Sequence, residues 1–199
     1  SAVSTFEAFL GLLSFAIATG LFYGRFSQPK AFIRFSNNAL IAPYKDNTAL
    51  MFRLAPYKNN SLSEVEVKLT LAITNEENGK LYDKFYDLEL EFAKIDGLPL
   101  SWTIVHPIDG KSPFYGLSKE DIANTDMELM VFLKAFDQVF SNNVITRTSY
   151  ASAEIVWGAK FKMMYHPSED KNKTILDVSK LNEYENMPLP EPGIVTMVN

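Results

Sequence analysis

The 199-residue sequence contains no cysteine, which excludes disulfide bonds, thiolate nucleophiles and cysteine-ligated zinc or iron–sulfur sites. Histidine is nearly as scarce, with only His106 and His166. No third ligand lies near either of them in the sequence, so the pattern gives little support to a metal site. We expect His106 to be a hydrogen-bonded structural residue in an apolar strand, and His166 to lie in a solvated turn.

The short motifs of common enzymes are also missing. No GxSxG, HExxH, phosphate-binding loop or GxGxxG pattern occurs, and the acidic residues alternate along strands instead of forming a catalytic pair. The formal net charge of −5 and the lack of a Lys/Arg-rich run argue against a nucleic-acid surface. The sequence therefore predicts a protein that is not an enzyme and has neither a metal nor a nucleic-acid partner.

A long apolar run does occur near the start, where residues 8–24 carry no charge. As a helix this run would span about 25 Å, slightly less than the ~30 Å hydrocarbon core of a bilayer. A signal peptide is disfavoured because residues 1–7 contain no base. A buried core helix and a membrane helix remain, and the bases at Arg25, Lys30 and Arg34 favour the cytoplasmic end of a membrane span.

Small residues follow one side of this predicted helix. Ala16, Gly20 and Gly24 are spaced four apart, which places them on a common face. Such a face lets membrane helices approach closely, so the pattern indicates a helix packed against other helices.

The remainder of the chain has the period-two pattern of β-strands. In 63–73 the residues Val65, Val67, Leu69 and Leu71 alternate with polar ones. Further strands are predicted at 31–36, at two places within 39–54 around a turn at 45–47, and at 86–92, 100–109, 127–136, 144–150 and 153–161. One short helix is predicted at 118–126, with Ser118 as its N-cap. Strands at this spacing predict an all-β sandwich or barrel.

Three stretches together resemble the inward-rectifier potassium channels: "SNNALIAPYKDNTALMFRL", "WTIVHPIDGKSPFYGLSKEDI" and "SYASAEIVWGAKF". They occur in the order, and at close to the spacing, of that family's cytoplasmic domain. The resemblance covers nearly the whole chain, and the short joint "RFSQPKAF" is closer to the prokaryotic branch.

The resemblance implies an immunoglobulin-like β-sandwich that assembles as a fourfold homotetramer, with potassium as the permeant ion and no cofactor. It divides the chain into part of a pore-lining inner helix (1–26), a gating joint (27–36) and a cytoplasmic sandwich (37–199). The protein would lie in the plasma membrane with the sandwich on the cytoplasmic side. No TxGYG filter motif occurs in the 199 residues, so we expect the filter and outer helix to precede this stretch.

The resemblance also assigns roles to residues of the ion pathway. It places Glu64, Lys134, Phe136 and Ser141 along the cytoplasmic pore, and it gives Arg147 the role of bracing a constriction loop at 136–145. A ring of four carboxylates at Glu64 would attract cations. Without the resemblance, Glu64 would be read as an ordinary exposed strand carboxylate.

Because two positions depart from the family pattern, we expect polyamines to block the ion pathway less strongly than in strong rectifiers. Lys134 stands at a position that is acidic in strong rectifiers, and Phe15 stands where those channels carry an acid in the inner helix. In the helix itself, Gly11 matches a hinge position and Gly20 matches a second small position.

Four bases are candidates for contact with membrane lipids, including anionic head groups: Arg25, Lys30, Arg34 and Lys58. Each base near an anionic surface contributes roughly 1 kcal/mol of attraction. An alternative from another functional class is a single-pass, membrane-anchored β-sandwich that binds a partner and forms no pore.

Overall fold

The computed structural model describes residues 2–26, 30–58, 61–98, 100–169 and 172–190. The chain divides into two compact units, one up to Lys30 and one from Ala31 onward. Residues 27–29 of the predicted joint and residues 191–199 of the predicted sandwich domain lie outside the described residues.

The first unit contains one continuous helix, α1 (Ala2–Phe26), and none of its residues is buried. Its 25 residues correspond to about 37 Å at 1.5 Å per residue, and its mean hydropathy reaches 1.7. By length and composition this helix could cross a membrane. Because no side chain on it is buried, α1 is not a core helix of this chain.

The second unit is built mainly of strands. One five-stranded sheet contains β1 (Ile33–Phe35), β2 (Ala39–Tyr44), β3 (Asn47–Pro56), β7 (Trp102–Ile108) and β10 (Ile155–Trp157). The other contains β4 (Leu62–Glu77), β5 (Lys80–Asp87), β6 (Lys94–Gly97), β8 (Met127–Asp137) and β9 (Asn142–Ala151). We call these the first and second sheets. Neighbouring strands run antiparallel except β2 and β10, which are parallel.

Smaller elements complete this unit. Two-stranded pairs join β11 (Ala159–Phe161) to β14 (Tyr184–Asn186) and β12 (Tyr165–Pro167) to β13 (Thr174–Leu176). The short helix α2 (Lys119–Asn124) follows β7, and 3₁₀ turns occupy Ser152–Glu154 and Val178–Asn182. His166 is exposed as predicted, but it lies in β12 and not in a turn.

The core lies between the two sheets. Val65, Val67, Leu69 and Leu71 of β4 are all buried, as their alternation predicts, and they belong to one cluster with Phe52 of β3. The sheets therefore bury one face of each against the other, which is the packing of a β-sandwich. The predicted fold class, an all-β immunoglobulin-like sandwich preceded by one apolar helix, is confirmed.

The predicted β-hairpin within 39–54 and the predicted short helix are both present in the structure. The two strands within 39–54 are β2 and β3, and Lys45 at their turn has φ +53°. Helix α2 begins with a reciprocal capping box, because the Asp121 N–H donates to Ser118 Oγ and the Ser118 N–H donates to Asp121 Oδ2.

The strand predicted at 86–92 is wrong, because the regular strand β5 ends at Asp87. The segment beyond it crosses between the sheets: the Leu88 N–H donates to Leu69 O in β4, whereas the Glu91 N–H donates to Val105 O in β7. Leu and Glu alternate here because one side of this crossing segment is buried, and the segment is not a strand of either sheet.

The single strand predicted at 153–161 is also wrong. It is a 3₁₀ turn followed by β10 and β11, which Gly158 separates. Gly158 has φ +69°, and a Cβ there would lie 3.2 Å from the carbonyl oxygen of Met187. The chain bends at this glycine, so β10 pairs in the first sheet while β11 pairs with β14.

Candidate functional site

Three of the predicted pathway residues share the outward face of the second sheet. On β8 the residues Leu129, Val131 and Leu133 are buried, so the alternating Lys134 and Phe136 lie on the opposite face. On β9, Arg147 pairs with Phe132 of β8, a residue on the same outward face. We call this surface the outer face.

Glu64 reaches the outer face through a β-bulge. Ser63 pairs with Phe136 and Glu66 pairs with Lys134, so two residues of β4 stand opposite the single residue Ala135. Leu62 and Val65 are both buried, which places Ser63 and Glu64 together on the exposed side. Glu64 adopts φ +49°, an unusual conformation for a residue with a side chain.

The negative charges of the carboxylates on this part of the outer face are balanced by nearby lysines. Glu64 Oε2 lies 3.6 Å from the Nζ atom of Lys94 on β6. Glu66 pairs across the strands with Lys94 on one side and with Lys134 on the other. Two acids and two bases therefore share this part of the face, and its local charge is close to zero.

The predicted constriction loop at 136–145 is mostly strand. Only residues 138–141 form the turn between β8 and β9, and Ser141 in it has φ +48°. The buried carboxylate of Asp137 accepts hydrogen bonds from the Val139 and Phe140 N–H groups at 2.8 and 3.2 Å. These bonds shape the turn and leave the side chains of Val139 and Phe140 exposed.

Ser61, the residue before β4, also holds this turn. The Gln138 N–H donates to Ser61 O at 3.0 Å, and Ser61 Oγ donates to Gln138 Oε1 at 2.7 Å. Arg147 places its guanidinium over the Phe132 ring, 5.4 Å from the centroid. The bracing of the turn by Arg147 stays a prediction, since the hydrogen bonds just described come from Asp137 and Ser61.

Two of the predicted lipid-contact residues form a basic aromatic cluster. The Arg34 guanidinium lies 4.8 Å from the Tyr57 ring centroid, and Lys58 Nζ lies 4.3 Å from that of Phe32. The two rings meet edge to face at 5.8 Å. The cluster holds two exposed cations close together on aromatic supports.

The remaining predicted residues belong to the first unit. Gly11 and Gly20 lie inside α1, where an added Cβ would meet nothing within 4 Å. Arg25 is in the last turn of α1, and Lys30 follows it, both exposed.

His106 has the structural role that the sequence predicts. It is 4% exposed, and its Nδ1 and Nε2 atoms lie 2.7 Å from Glu89 O and 2.8 Å from Ser112 Oγ. Burial lowers the pKa of His106, so the neutral ring is favoured. Within the described ranges no group of three His, Asp or Glu side chains is placed to hold a metal ion.

Sequence reasoning missed Lys94 on the outer face and two residues that hold the 138–141 turn, Ser61 and Asp137. Lys94 reaches Glu64 only because β6 pairs with β4, and nothing local in the sequence announces that pairing. Asp137 could have been found, because an acid at a buried position of the β8 alternation requires a partner nearby.

In the comparisons with known proteins, the matching family model and the similar proteins described below are all inward rectifier potassium channels. The model of the inward rectifier potassium channel C-terminal domain family matches residues 33–197. The inward rectifier potassium channel Kirbac3.1 of Paramagnetospirillum magnetotacticum is 34% identical over 180 residues, which cover 90% of this chain and 61% of that protein.

Two animal proteins are more distant relatives. The G protein-activated inward rectifier potassium channel 1 of Bos taurus is 28% identical, over 93% of this chain and 38% of its own length. The ATP-sensitive inward rectifier potassium channel 12 of Mus musculus is 27% identical, over 92% of this chain and 44% of its own length. The chain thus spans less than two thirds of the length of these relatives. With a family match over most of its strands, the chain belongs to the inward rectifier potassium channel family.

Proposed function

We propose that the chain supplies a pore-lining helix and the cytoplasmic gating domain of a tetrameric, inward-rectifier-type potassium channel. The observation that carries the proposal is the family match over 33–197, directly after a helix that could cross a membrane and buries none of its side chains. In this proposal the protein lies in the plasma membrane with its sandwich in the cytoplasm, potassium is the permeant ion, and no catalysis occurs.

The outer face and its turn would line the cytoplasmic part of the pathway. Fourfold symmetry turns each residue near the axis into a ring of four. The exposed turn 138–141 is the part of this surface that projects beyond the β8–β9 ladder, so Ser141 and the neighbouring Phe136 are proposed to form the constriction.

The charge balance of the outer face argues for weak attraction of polyvalent cations. A ring at Glu64 alone would lower the potential for cations, but Lys94 and Lys134 add a base for each acid nearby. The variant Lys134→Glu should therefore raise the affinity of the assembled chain for spermine several-fold, as measured by calorimetric titration. An unchanged affinity would place Lys134 away from the cation pathway.

The helix is proposed to pack against its copies around the axis and to bend at Gly11 when the pathway opens. Gly20 would allow close approach of neighbouring helices, because no Cβ stands between them. Both proposals depend on α1 having partners in the assembly, since none of its side chains is buried in the single chain.

Contact with anionic lipid is proposed for Arg25, Lys30, Arg34 and Lys58. The aromatic supports under Arg34 and Lys58 suit a membrane interface, where amphipathic rings and bases are enriched. Native mass spectrometry of the chain in detergent with added phosphatidylglycerol should show fewer lipid adducts in the double variant Arg34→Gln/Lys58→Gln. The variant Lys84→Gln, which removes an exposed base on β5, should bind lipid like the wild type.

The absence of cysteine makes the assembly directly testable. A single Ser141→Cys substitution introduces the only thiol, so any disulfide must join two copies. We expect mild oxidation of the chain in detergent to give disulfide-linked dimers in high yield, and native mass spectrometry to show tetramers. Glu120→Cys, an exposed position on α2, is the matched control and should give little linkage.

A strict monomer by native mass spectrometry, together with equal linkage at positions 141 and 120, would contradict the tetramer. It would favour the alternative of a membrane-anchored binding module without a pore.

A further inference from the structure

Arg53 is a buried cation in the first sheet, and no ion pair joins it to a carboxylate among the described residues. It lies on β3 and is 6% exposed, and its Nη1 atom is buried with no hydrogen-bond partner among the described residues. Its guanidinium rests on the Phe161 ring, 4.5 Å from the centroid, which provides stacking but no acceptor. A buried charged donor without an acceptor is costly, so a fold that retains one calls for an explanation.

Arg53 lines an open cleft of about 500 Å³ between β3, β7 and β11. Lys160 and Lys162 also line this cleft, whereas Glu185 is its only carboxylate among the described residues. Three cations against one carboxylate leave an excess of two positive charges. Although Lys160 and Glu185 pair in the β11–β14 ladder, no ion pair joins them, and within the described ranges neither lysine has a carboxylate within 4 Å.

The walls of the cleft suit an organic molecule better than a bare ion. Phe161, Met164 and Tyr165 provide an aromatic and apolar side, and Ser101 and Thr103 add hydroxyl groups. The volume is within the range of about 300–1,000 Å³ that is usual for small-molecule sites.

We propose that this cleft, the Arg53 cleft, binds a small organic molecule through its phosphate group. The planar guanidinium fork can donate two parallel hydrogen bonds to phosphate, while the two lysines act as point charges at the rim. The bound anion would balance the buried charge of Arg53, which has no carboxylate within 4 Å among the described residues. Burial lowers the pKa of Arg53, and a phosphate in the cleft would act in the opposite direction.

The binding test uses the full chain in detergent, titrated calorimetrically with inorganic phosphate and with phenyl phosphate. We expect saturable binding of both, with phenyl phosphate tighter by several-fold because of the apolar wall. The double variant Lys160→Gln/Lys162→Gln should weaken binding at least tenfold, and Arg53→Met should abolish it. Lys84→Gln, which removes one exposed base on β5, should bind like the wild type.

A stability measurement separates a binding role from a purely structural one. Both tryptophans, Trp102 and Trp157, lie in the sandwich, so their fluorescence reports its thermal unfolding. Phosphate should raise the midpoint of the wild type but not that of Arg53→Met, because only a ligand held by the native state stabilises it. Without phosphate, Arg53→Met should be at least as stable as the wild type, because the unpaired buried charge is gone.

The source of the phosphate group is settled by a further comparison. Vesicles of phosphatidylcholine with and without phosphatidic acid are titrated with the same variants. Phosphatidic acid binding that depends on Arg53, with no binding of phenyl phosphate, would identify a lipid head group as the ligand and would support the phosphate site. Binding of phenyl phosphate alone would identify a soluble ligand.

Three results would overturn the proposal. The first is the absence of saturable binding of any phosphate. The second is weakening in Lys84→Gln equal to that in the double lysine variant, which would mean general charge attraction. The third is a loss of self-association in Arg53→Met without any phosphate effect, which would mean that a carboxylate of a second copy fills the cleft.

Discussion

Helix α1 and the sandwich are both rich in apolar side chains, but only the sandwich buries them within this chain. None of the residues of α1 is buried, and Phe15 on it is 71% exposed. In the sandwich, apolar residues alternate with polar ones, and Leu133 on β8 is fully buried. The period of the pattern makes the difference, because alternation gives a strand one inner face whereas the helix is apolar all round.

This contrast means that the sandwich is stabilised by contacts within the chain, while the helix depends on its surroundings. Substitutions of similar size should therefore have very different effects on the two units. Tryptophan fluorescence reports the sandwich alone, since both tryptophans lie there, whereas amide exchange can follow the helix.

The largest effect is expected for Leu133→Ala, which opens a cavity in the middle of the core. The free energy of unfolding should fall by about 2–5 kcal/mol, as measured by urea denaturation of the full chain in detergent. Phe15→Ala on α1 is the control and should change it by less than about 0.5 kcal/mol. A comparable loss in both variants would show that the helix and the sandwich unfold as one cooperative unit.

A smaller effect is expected for Tyr150→Phe, which removes one polar contact from the core. The Tyr150 hydroxyl donates to Ser36 O at 2.9 Å and is buried. Its loss leaves that carbonyl without this donor and should cost about 1–2 kcal/mol in the same urea experiment. Tyr115→Phe alters an exposed ring and should be close to neutral. Equal effects would mean that water replaces the hydrogen bond in the core.

The two units also differ in how much of them the sequence predicted. The long uncharged run predicted helix α1, and alternation predicted the strands with regularly buried positions in β4 and β8. The crossing segment after Asp87 and the break at Gly158 were missed. Both depend on which distant strand lies alongside, and a local pattern carries no such information.

The candidate site also contains some features that were predicted from the sequence and others that were not. The resemblance placed Lys134 and Phe136 along the cytoplasmic pore, and in the structure both lie on the outward face of β8. The sequence did not predict the bulge at Glu64 or the proximity of Lys94, because both arise from how β4 pairs with β6 and β8. The sequence showed Glu64 and Lys134 but not that Lys94 lies beside Glu64.

A third prediction tests the sandwich through pH. The folded state lowers the pKa of His106 below its ordinary value of 6.5 through burial, so the unfolded chain binds its proton more readily. The contribution to stability is complete above pH 6.5 and is lost as the pH falls below it. The thermal midpoint should therefore be lower about one pH unit below 6.5 than about one unit above it.

The two histidines provide the comparison for this effect. His106→Gln should flatten the pH dependence in that range, whereas the exposed His166→Asn should leave it unchanged. A dependence that survives in His106→Gln would assign it to groups other than the buried imidazole.

The smallest effect on the sandwich is expected for Gly11→Ala, which sharpens the contrast from the side of the helix. An alanine at this position meets no neighbour within 4 Å, and it favours a helix interior over glycine by about 1 kcal/mol. Amide hydrogen exchange of α1 in detergent should slow around position 11, while tryptophan-detected unfolding should not change. Exchange that does not slow would mean that Gly11 is already held straight and would count against a hinge there. A shift in the tryptophan transition would instead show that the helix and the sandwich unfold as one cooperative unit.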